Sequence, residues 1–509
     1  MRALATILAA ATLVARAGTA RGAQEPFATA PEPPRAHIEI VMEPPSGRTL
    51  RVAAGGDLQA ALDSARPGDV IVLAAGSVYN GPFRLPRKPS SEGWIVVRTS
   101  APDEQLPPTG RRVSPDDAAR MPRLQSSSGS VVEAEPGAHH YRFFGLEMSP
   151  TPGTSLTNVA QFGSSASSPA DVPHHIILDR CYVHGDSAQG SRRGIALNAA
   201  HAAVVGCWIS DFKEEGADTQ AIGCWSGPGP FRIEGNYLEA AGENIMFGGA
   251  DPAIRGLTPS DIEIRRNRLT KPLTWKEGSG PAWSVKNLLE LKNARRVVIE
   301  GNVLENNWAQ SQNGFAVLLT PRNQDGSAPW STVEDVLFSN NVVAQSGSGV
   351  NILGHDDAAA SGRTQRLAIL NNLFLGIDGS RWGGSGTLFQ LLGGITDLRI
   401  ENNTAVHSGA MVMAEGEPHR RFVYRGNLTS RGTYGFIGTG TGPEEPTLRA
   451  YFPGAVVEDN QRFAGGRPPD ARQPGTRHGA DIAALCAALA PEDRPAAGCD
   501  STASLMPRR

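Results

Sequence analysis

From residue 193 onward one short pattern recurs, a run of alternating apolar residues that closes on asparagine. The copies run from Phe231 to Asn236, Ile262 to Asn267, Val297 to Asn302, Val336 to Asn341, Leu367 to Asn372, Leu398 to Asn403 and Phe422 to Asn427, with a degenerate copy ending at Asn460. Two earlier copies carry Cys181 and Cys207 in the closing position. Successive closing residues lie 24 to 39 positions apart. A repeat of that length with one fixed internal pattern belongs to a solenoid or a propeller. A propeller blade needs about four strands at near-constant spacing, and neither is present. Phe231, Ile233, Ile262, Ile264, Val297 and Ile299 share one parity, and Arg232, Glu234, Glu263, Arg265 and Glu300 hold the other. Strand side chains alternate between faces, so the first set points inward and the second to solvent. An asparagine at each turn can bond to its counterpart one coil on and can itself take a left-handed bend. The expected fold is all-β, a right-handed parallel β-helix of about ten or more coils.

A second strand falls between closing residues, as in Gly194 to Asn198, Gln220 to Cys224, Asn244 to Gly248, Leu288 to Lys292, Phe315 to Leu319, Val350 to Gly354 and Leu388 to Leu392. Most copies are followed by a loop of variable length, which is how a solenoid builds a groove along one side.

The N-terminal stretch 1–23 reads as a secretory signal: Arg2, the apolar run Leu4 to Val14, then small residues at Gly18 to Ala20 or Arg21 to Ala23. The run is too short to span a membrane, and no later segment reaches the length of a spanning helix. The mature chain is expected to be secreted or periplasmic, soluble and monomeric. A net charge of −3 gives no basic field for nucleic acid. The five cysteines lack zinc spacing. Cys181 and Cys207 fall in adjacent coils, as small core residues or a coil-to-coil disulfide, and Cys486 could bridge Cys499 in the tail. Residues 24–45 are Pro- and Ala-rich and read as a linker, 46–465 as the β-helix, and 466–509 as a Pro/Gly-rich tail with a short helix over 481–490. Within the solenoid, Asp57 is placed to cap a helix with Leu58, Ala61, Leu62 and Ala65 on one face, suited to covering the open end of the core. Residues 99–138 read as a polar insertion.

The helix Asp57-Leu-Gln-Ala-Ala, the segment Arg66-Pro-Gly-Asp-Val-Ile-Val-Leu73 and the asparagine-ended coils together resemble the pectin-lyase-like superfamily over about residues 50–460. The resemblance implies the β-helix fold and a carbohydrate-related role. The superfamily holds polysaccharide lyases, glycoside hydrolases, epimerases and non-catalytic surface proteins.

Three stretches could carry chemistry. In Lys286 to Asn302, Leu289 and Leu291 alternate inward, which puts Lys286, Glu290 and Lys292 on the outer face. A carboxylate flanked by two ammonium groups suits an anionic sugar, the cations neutralising a uronate and one lysine acting as base. This stretch also resembles polysaccharide lyases of the alginate-lyase and chondroitinase-B type. That resemblance implies Lys292 as base and Arg322 as its partner, although Arg322 is followed by Asn-Gln where the family has His-Gly. In Gly242 to Asp251, glycines surround Glu243 and Asp251, with Asp218 one coil back. Paired carboxylates suit glycoside hydrolysis, and Glu290, Glu243 and Asp218 could together hold calcium. Glycine there could also let a ligand approach the backbone. The third stretch is Gly354-His355-Asp-Asp357, after a strand. Trp225 and Trp283 fall in variable loops and could stack on sugar rings. The leading reading is a polysaccharide lyase acting on a uronic-acid glycan by β-elimination. Its alternatives are a glycoside hydrolase using paired carboxylates and a non-catalytic glycan-binding protein.

Overall fold

A computed structural model describes residues 28–42, 44–89, 93–164, 166–277, 282–465 and 478–494; the stretch 1–23 expected to be a signal, and Cys499, lie outside them. The fold is a right-handed parallel β-helix built from three long sheets of 14, 13 and 12 strands, each strand hydrogen-bonded to its counterparts in the preceding and following coils. The first sheet holds the asparagine-ended strands, such as Ser260–Arg265, Ala294–Glu300 and Val333–Ser339. Its register follows the sequence parity: Ile233, Ile264, Ile299 and Phe338 pair in one column and lie in the central core. The second sheet starts directly after each closing asparagine, as in Tyr237–Ala240, Arg268–Thr270 and Val303–Asn307. The third holds Gln220–Cys224, Glu243–Phe247, Asn287–Leu291 and Phe315–Leu319. Each coil therefore has three strands, where the repeats alone revealed two. Among the described residues no helix is long and apolar enough to cross a membrane.

The asparagines form a continuous ladder. The Asn236, Asn267, Asn302, Asn341, Asn372, Asn403 and Asn427 amides each donate to the Oδ1 of the next at 2.9 to 3.1 Å, ending on Asn460. Each also donates to a carbonyl one coil back, as Asn302 does to Ile264 at 2.9 Å. The left-handed bend falls on the residue before the asparagine: φ is +56° at Arg266, +66° at Gly301 and +56° at Asn340. The asparagine is thus selected for its amide rather than for its backbone freedom, contrary to the dual role expected. Cys181 and Cys207 are free thiols. Cys207 takes the asparagine's place, its Sγ accepting from the Cys181 N–H at 3.3 Å. Cys486 is disulfide-bonded.

The stretch expected to be a linker is laid against the outside of the first sheet. The Thr29, Glu32 and Arg35 N–H groups donate to the carboxylates of Asp397, Asp335 and Asp261 at 2.8 to 2.9 Å. Those aspartates sit two coils apart in the first sheet, a rise of about 9.6 Å. Three residues of polyproline II advance about 9.3 Å. The proline-rich segment and the solenoid therefore share a pitch, which is why Pro31, Pro33 and Pro34 suit this strap. Each aspartate has φ near +57° and is paired with an arginine one coil on: Arg421, Arg366 and Arg296 respectively.

The stretch 99–138, expected to be a polar insertion, contributes Arg123–Ser126 and Val132–Ala134 to the second and third sheets. Its apolar residues Leu106, Val113 and Met121 cover Phe144, Tyr182 and Trp208. Asp57 accepts from the Ala60 N–H, capping the helix Leu58–Ser64, and Leu58, Leu62 and Ala65 join the central core. The tail helix Ile482–Ala488 sets Leu485 against Val303, Val342 and Leu373 on the outside of the second sheet.

Candidate functional site

The third sheet carries a charged cluster on the side away from the core. Register places Gln220, Glu243 and Asn287 in one column and Gly223, Met246 and Glu290 in another. Leu288, Leu289 and Leu291 all enter the core, so the alternation breaks between Leu288 and Leu289, and Asn287 and Glu290, joined by a hydrogen bond, share the outer side. Both carboxylates are nonetheless covered: Glu243 is 0% exposed and Glu290 2%. What covers them is other polar groups. The Gln220 amide donates to Glu243 Oε2 at 2.7 Å, and Arg193 Nε donates to Gln220 Oε1 at 2.6 Å, a relay across three coils. Asn287 Nδ2 donates to Glu290 Oε2 at 3.2 Å. Lys286 Nζ lies 2.5 Å from Asp218 Oδ1 and 3.5 Å from Glu243 Oε1; Lys292 Nζ lies 3.5 Å from Glu290 Oε1.

The two 3.5 Å contacts are ionic, too long for good hydrogen bonds. Consistent with this, Glu243 Oε1 and its register neighbour Asn287 Oδ1 are buried oxygens without a hydrogen-bond partner. Burial and the nearby charge of Glu290 raise the Glu243 carboxyl to about 7. Burial works against the Lys286 ammonium, but Glu243 and Asp218 carry its pKa above the usual lysine value. Burial and Arg192 pull Arg193 down to about 10. The Arg193 guanidinium lies 5.2 Å from the Trp225 ring, whose Nε1–H donates to the Ser164 carbonyl at 3.0 Å. Trp225 thus forms one wall of the cluster.

The backbone beneath is held from inside. Lys271 is fully buried, and its Nζ donates to the carbonyls of Ala240, Gly242 and Asn287 and to Asn244 Oδ1, all at 2.8 to 3.1 Å. Burial pulls its pKa down to about 7. Four surrounding acceptors favour the protonated form. The glycine-dense loop has a different use from the one expected. A Cβ at Gly248, with φ +96°, would lie 2.7 Å from Lys292 Cβ. The glycine lets the next coil, and with it Lys292, pack close.

The structure brings Asp218, Glu243, Lys286, Glu290, Lys292 and Trp225 together, and it places four other candidates elsewhere. The Arg322 backbone N–H donates to the Lys292 carbonyl, but its guanidinium turns along the axis and pairs with Asp356, at 2.6 Å, and Asp357. His355 belongs to that second cluster, 3.6 Å from Glu417. Asp251 Oδ2 stitches a loop, accepting from the N–H groups of Asp325 and Ser327 and the Ser327 hydroxyl. Trp283 packs with Trp275, Trp308 and Trp382 in an apolar cluster, with Lys213 Nζ 5.6 Å from its ring. Arg193, Gln220, Asn287 and Lys271 did not emerge from the sequence. For the first three the signal was register: they occupy one strand position with Glu243.

No family model matches the chain, and no curated protein matches its sequence. Solved structures of similar shape include the PL6 family alginate lyase AlyGC, 14% identical, with a TM-score of 0.51 over 85% of this chain and 56% of that one. The catalytic unit of a GH87 α-1,3-glucanase from Streptomyces thermodiastaticus is 12% identical, with a TM-score of 0.48 over 84% of this chain and 70% of that one. This chain thus spans little more than half of the alginate lyase. At these identities the likeness is one of fold, the right-handed parallel β-helix.

Proposed function

We propose that this protein is an exported polysaccharide lyase that cleaves a uronic-acid-containing glycan by β-elimination at the third-sheet cluster. The observation that carries the reading is the pair of buried carboxylates, Glu243 and Glu290, on adjacent coils between Lys286 and Lys292. A surface tuned only for solubility would not bury like charges together. The unpartnered oxygens of Glu243 and Asn287, with the Glu290 carboxylate, form a hard-oxygen set suited to a divalent cation such as Ca²⁺. When bound there, such a cation would neutralise a uronate carboxylate and make its C5 proton more acidic. Lys292 takes that proton at Nζ as base. The C4–O bond then breaks as the C4–C5 double bond forms, and the Lys286 ammonium returns a proton to the leaving oxygen. Asp218 positions Lys286, and Trp225 with Arg193 binds the sugar ring and its charge.

A second reading has one observation in its favour: a Glu243 carboxyl held near 7 is a proton donor at neutral pH, as a glycoside hydrolase requires. Incubation with a panel of acidic and neutral polysaccharides separates the two. A lyase gives reducing ends together with ultraviolet absorbance from an unsaturated uronate. A hydrolase gives reducing ends alone, and a binding protein gives neither. Loss of the absorbance signal in Lys292→Ala, with the fold retained, is the expected result. Full turnover in that variant would overturn the assignment.

A further inference from the structure

On the first sheet, away from the carboxylate cluster, five histidines stack where two coils carry His-His dipeptides. His140, His175 and His201 occupy the left-handed position at the start of their strands, with φ of +59°, +55° and +49°. That bend turns two consecutive side chains to the same side of the strand, so His139 with His140, and His174 with His175, stand together on the outer face. The rings form two columns: His139 on His174 at 4.8 Å, and His140 on His175 at 4.4 Å, continued by His201 at 4.5 Å.

The hydrogen bonds settle part of the tautomer pattern. His139 Nε2 lies 3.1 Å from the Lys88 carbonyl, which can only accept, so Nε2 carries a hydrogen. A neutral His139 then accepts at Nδ1 from His140 Nδ1–H, 2.8 Å away. His140 is left with a bare Nε2, its orientation fixed by a hydrogen-bonded neighbour, as in imidazoles that bind metals. His174 and His175 face each other through Nδ1 atoms 2.7 Å apart, sharing one hydrogen. One ligand nitrogen from each of His140, His174 and His175 can be chosen so that all lie within 4.8 Å of one another. His174 and His175 also line a 660 Å³ cavity with Asp261 and Arg296, which gives access from solvent.

We propose that His140, His174 and His175 bind a divalent transition-metal ion of the Zn²⁺ or Cu²⁺ class. The donor set is entirely imidazole nitrogen. Such a set selects borderline ions over Ca²⁺ and Mg²⁺, which take oxygen. Three protein ligands leave a position open toward the cavity for water or a solute. Nitrogens 2.7 Å apart must separate slightly to hold an ion at about 2.1 Å from each, a motion the half-exposed rings allow. The ligands come from two neighbouring coils, so the ion would also tie them together.

The test is a Zn²⁺ titration of the untagged, metal-free chain by calorimetry, with excess Ca²⁺ present. One equivalent should bind, and the dissociation constant should rise about tenfold or more in His140→Asn and His175→Asn. Asparagine is chosen because it accepts the left-handed backbone. His174 needs no such backbone, so His174→Gln keeps the test open should either asparagine variant fail to fold. No heat of binding in the wild-type protein would overturn the proposal. So would wild-type affinity in the folded variants.

Discussion

Replacing Asn302 by alanine probes what holds the coils in register. Its side chain makes four hydrogen bonds: Nδ2 donates to Ile264 O and Asn341 Oδ1, and Oδ1 accepts from the N–H and Nδ2 of Asn267, all at 2.9 to 3.0 Å. After truncation the Asn267 N–H is a buried donor with nothing to bond, which alone costs about 1–3 kcal/mol. The Asn267 amide keeps Ile233 O, and Asn341 Oδ1 keeps the Asn302 N–H. Their lost bonds therefore weigh less, and the total comes to about 3–5 kcal/mol. Asn460 offers the matched control. It also makes four side-chain bonds, to Asn427, Tyr424 and Glu458, but at the half-buried end of the ladder, where water can replace them. Asn460→Ala should cost no more than about 1 kcal/mol. Hydrogen exchange read by mass spectrometry over residues 262–270 should quicken by about a hundredfold to a few thousandfold in Asn302→Ala. Exchange at the chain end should change little in Asn460→Ala. Asn302→Cys should fall between, since Cys207 shows that a thiol can accept from the same N–H. Equal losses at the two positions would refute the argument that buried, water-free bonds make the ladder.

Lys271→Met leaves four oxygens facing a methyl group and should destabilise the fold by at least about 3 kcal/mol, read as a drop in denaturation midpoint; Lys271→Arg should not rescue it, because a planar fork cannot serve four converging carbonyls. Glu243 has its pKa raised from 4.5 to about 7, so the folded protein binds a proton more tightly than the unfolded chain and stability from this group falls as pH rises from 4.5 through 7. Glu243→Gln should abolish that decline relative to wild type and lower turnover about a hundredfold or more; a variant with wild-type pH dependence would contradict the burial argument. Asp335→Ala should speed hydrogen exchange across residues 29–35 while the third-sheet strands keep their protection. Trp225→Ala should raise KM with little effect on kcat if the ring only binds sugar.

The first sheet was legible because its strands obey a two-residue period and close on one residue type. The second sheet was not, because it begins immediately after the asparagine in short pieces such as Arg268–Thr270, too brief to show alternation. The strap was missed for a different reason. Its own sequence looks like a linker, and what orders it is a column of aspartates two coils apart, 62 and 74 residues from one another. Most of the cluster could be read from charges concentrated on a few coils. The column through Arg193 and Gln220 could not, because the copy starting at Gln220 is one residue out of phase with those starting at Gly194, Asn244 and Leu288. The true register aligns Arg193 with Gln220, Glu243 and Asn287, and a one-residue slip exchanges faces. Arg322 failed as a partner because sequence fixes its coil but not its rotamer, and Asp356 and Asp357 claim the guanidinium.

The site and the scaffold share the same two coils, and this explains how buried charge is tolerated there. Lys271 holds the carbonyl of Gly242, next to Glu243, and that of Asn287, beside which Glu290 lies. Its ammonium also donates to the side chain of Asn244, which follows Glu243 and so takes the opposite face of the strand, and Glu243 acts to raise its pKa. The inner cation offsets part of the repulsion between the carboxylates and fixes the backbone that carries them. Outside, Lys286 and Lys292 lie 3.5 Å from the nearest oxygens of Glu243 and Glu290, without the four converging acceptors that hold Lys271, so they can turn toward an anionic ligand without unfolding the coil. Rigid carboxylates on a pinned backbone, with movable lysine side chains around them, are what the proposed binding of an anionic sugar requires. In the coils that follow, the column of Glu290 continues as Leu318, Asn351 and Gln390, uncharged residues that need no such internal support.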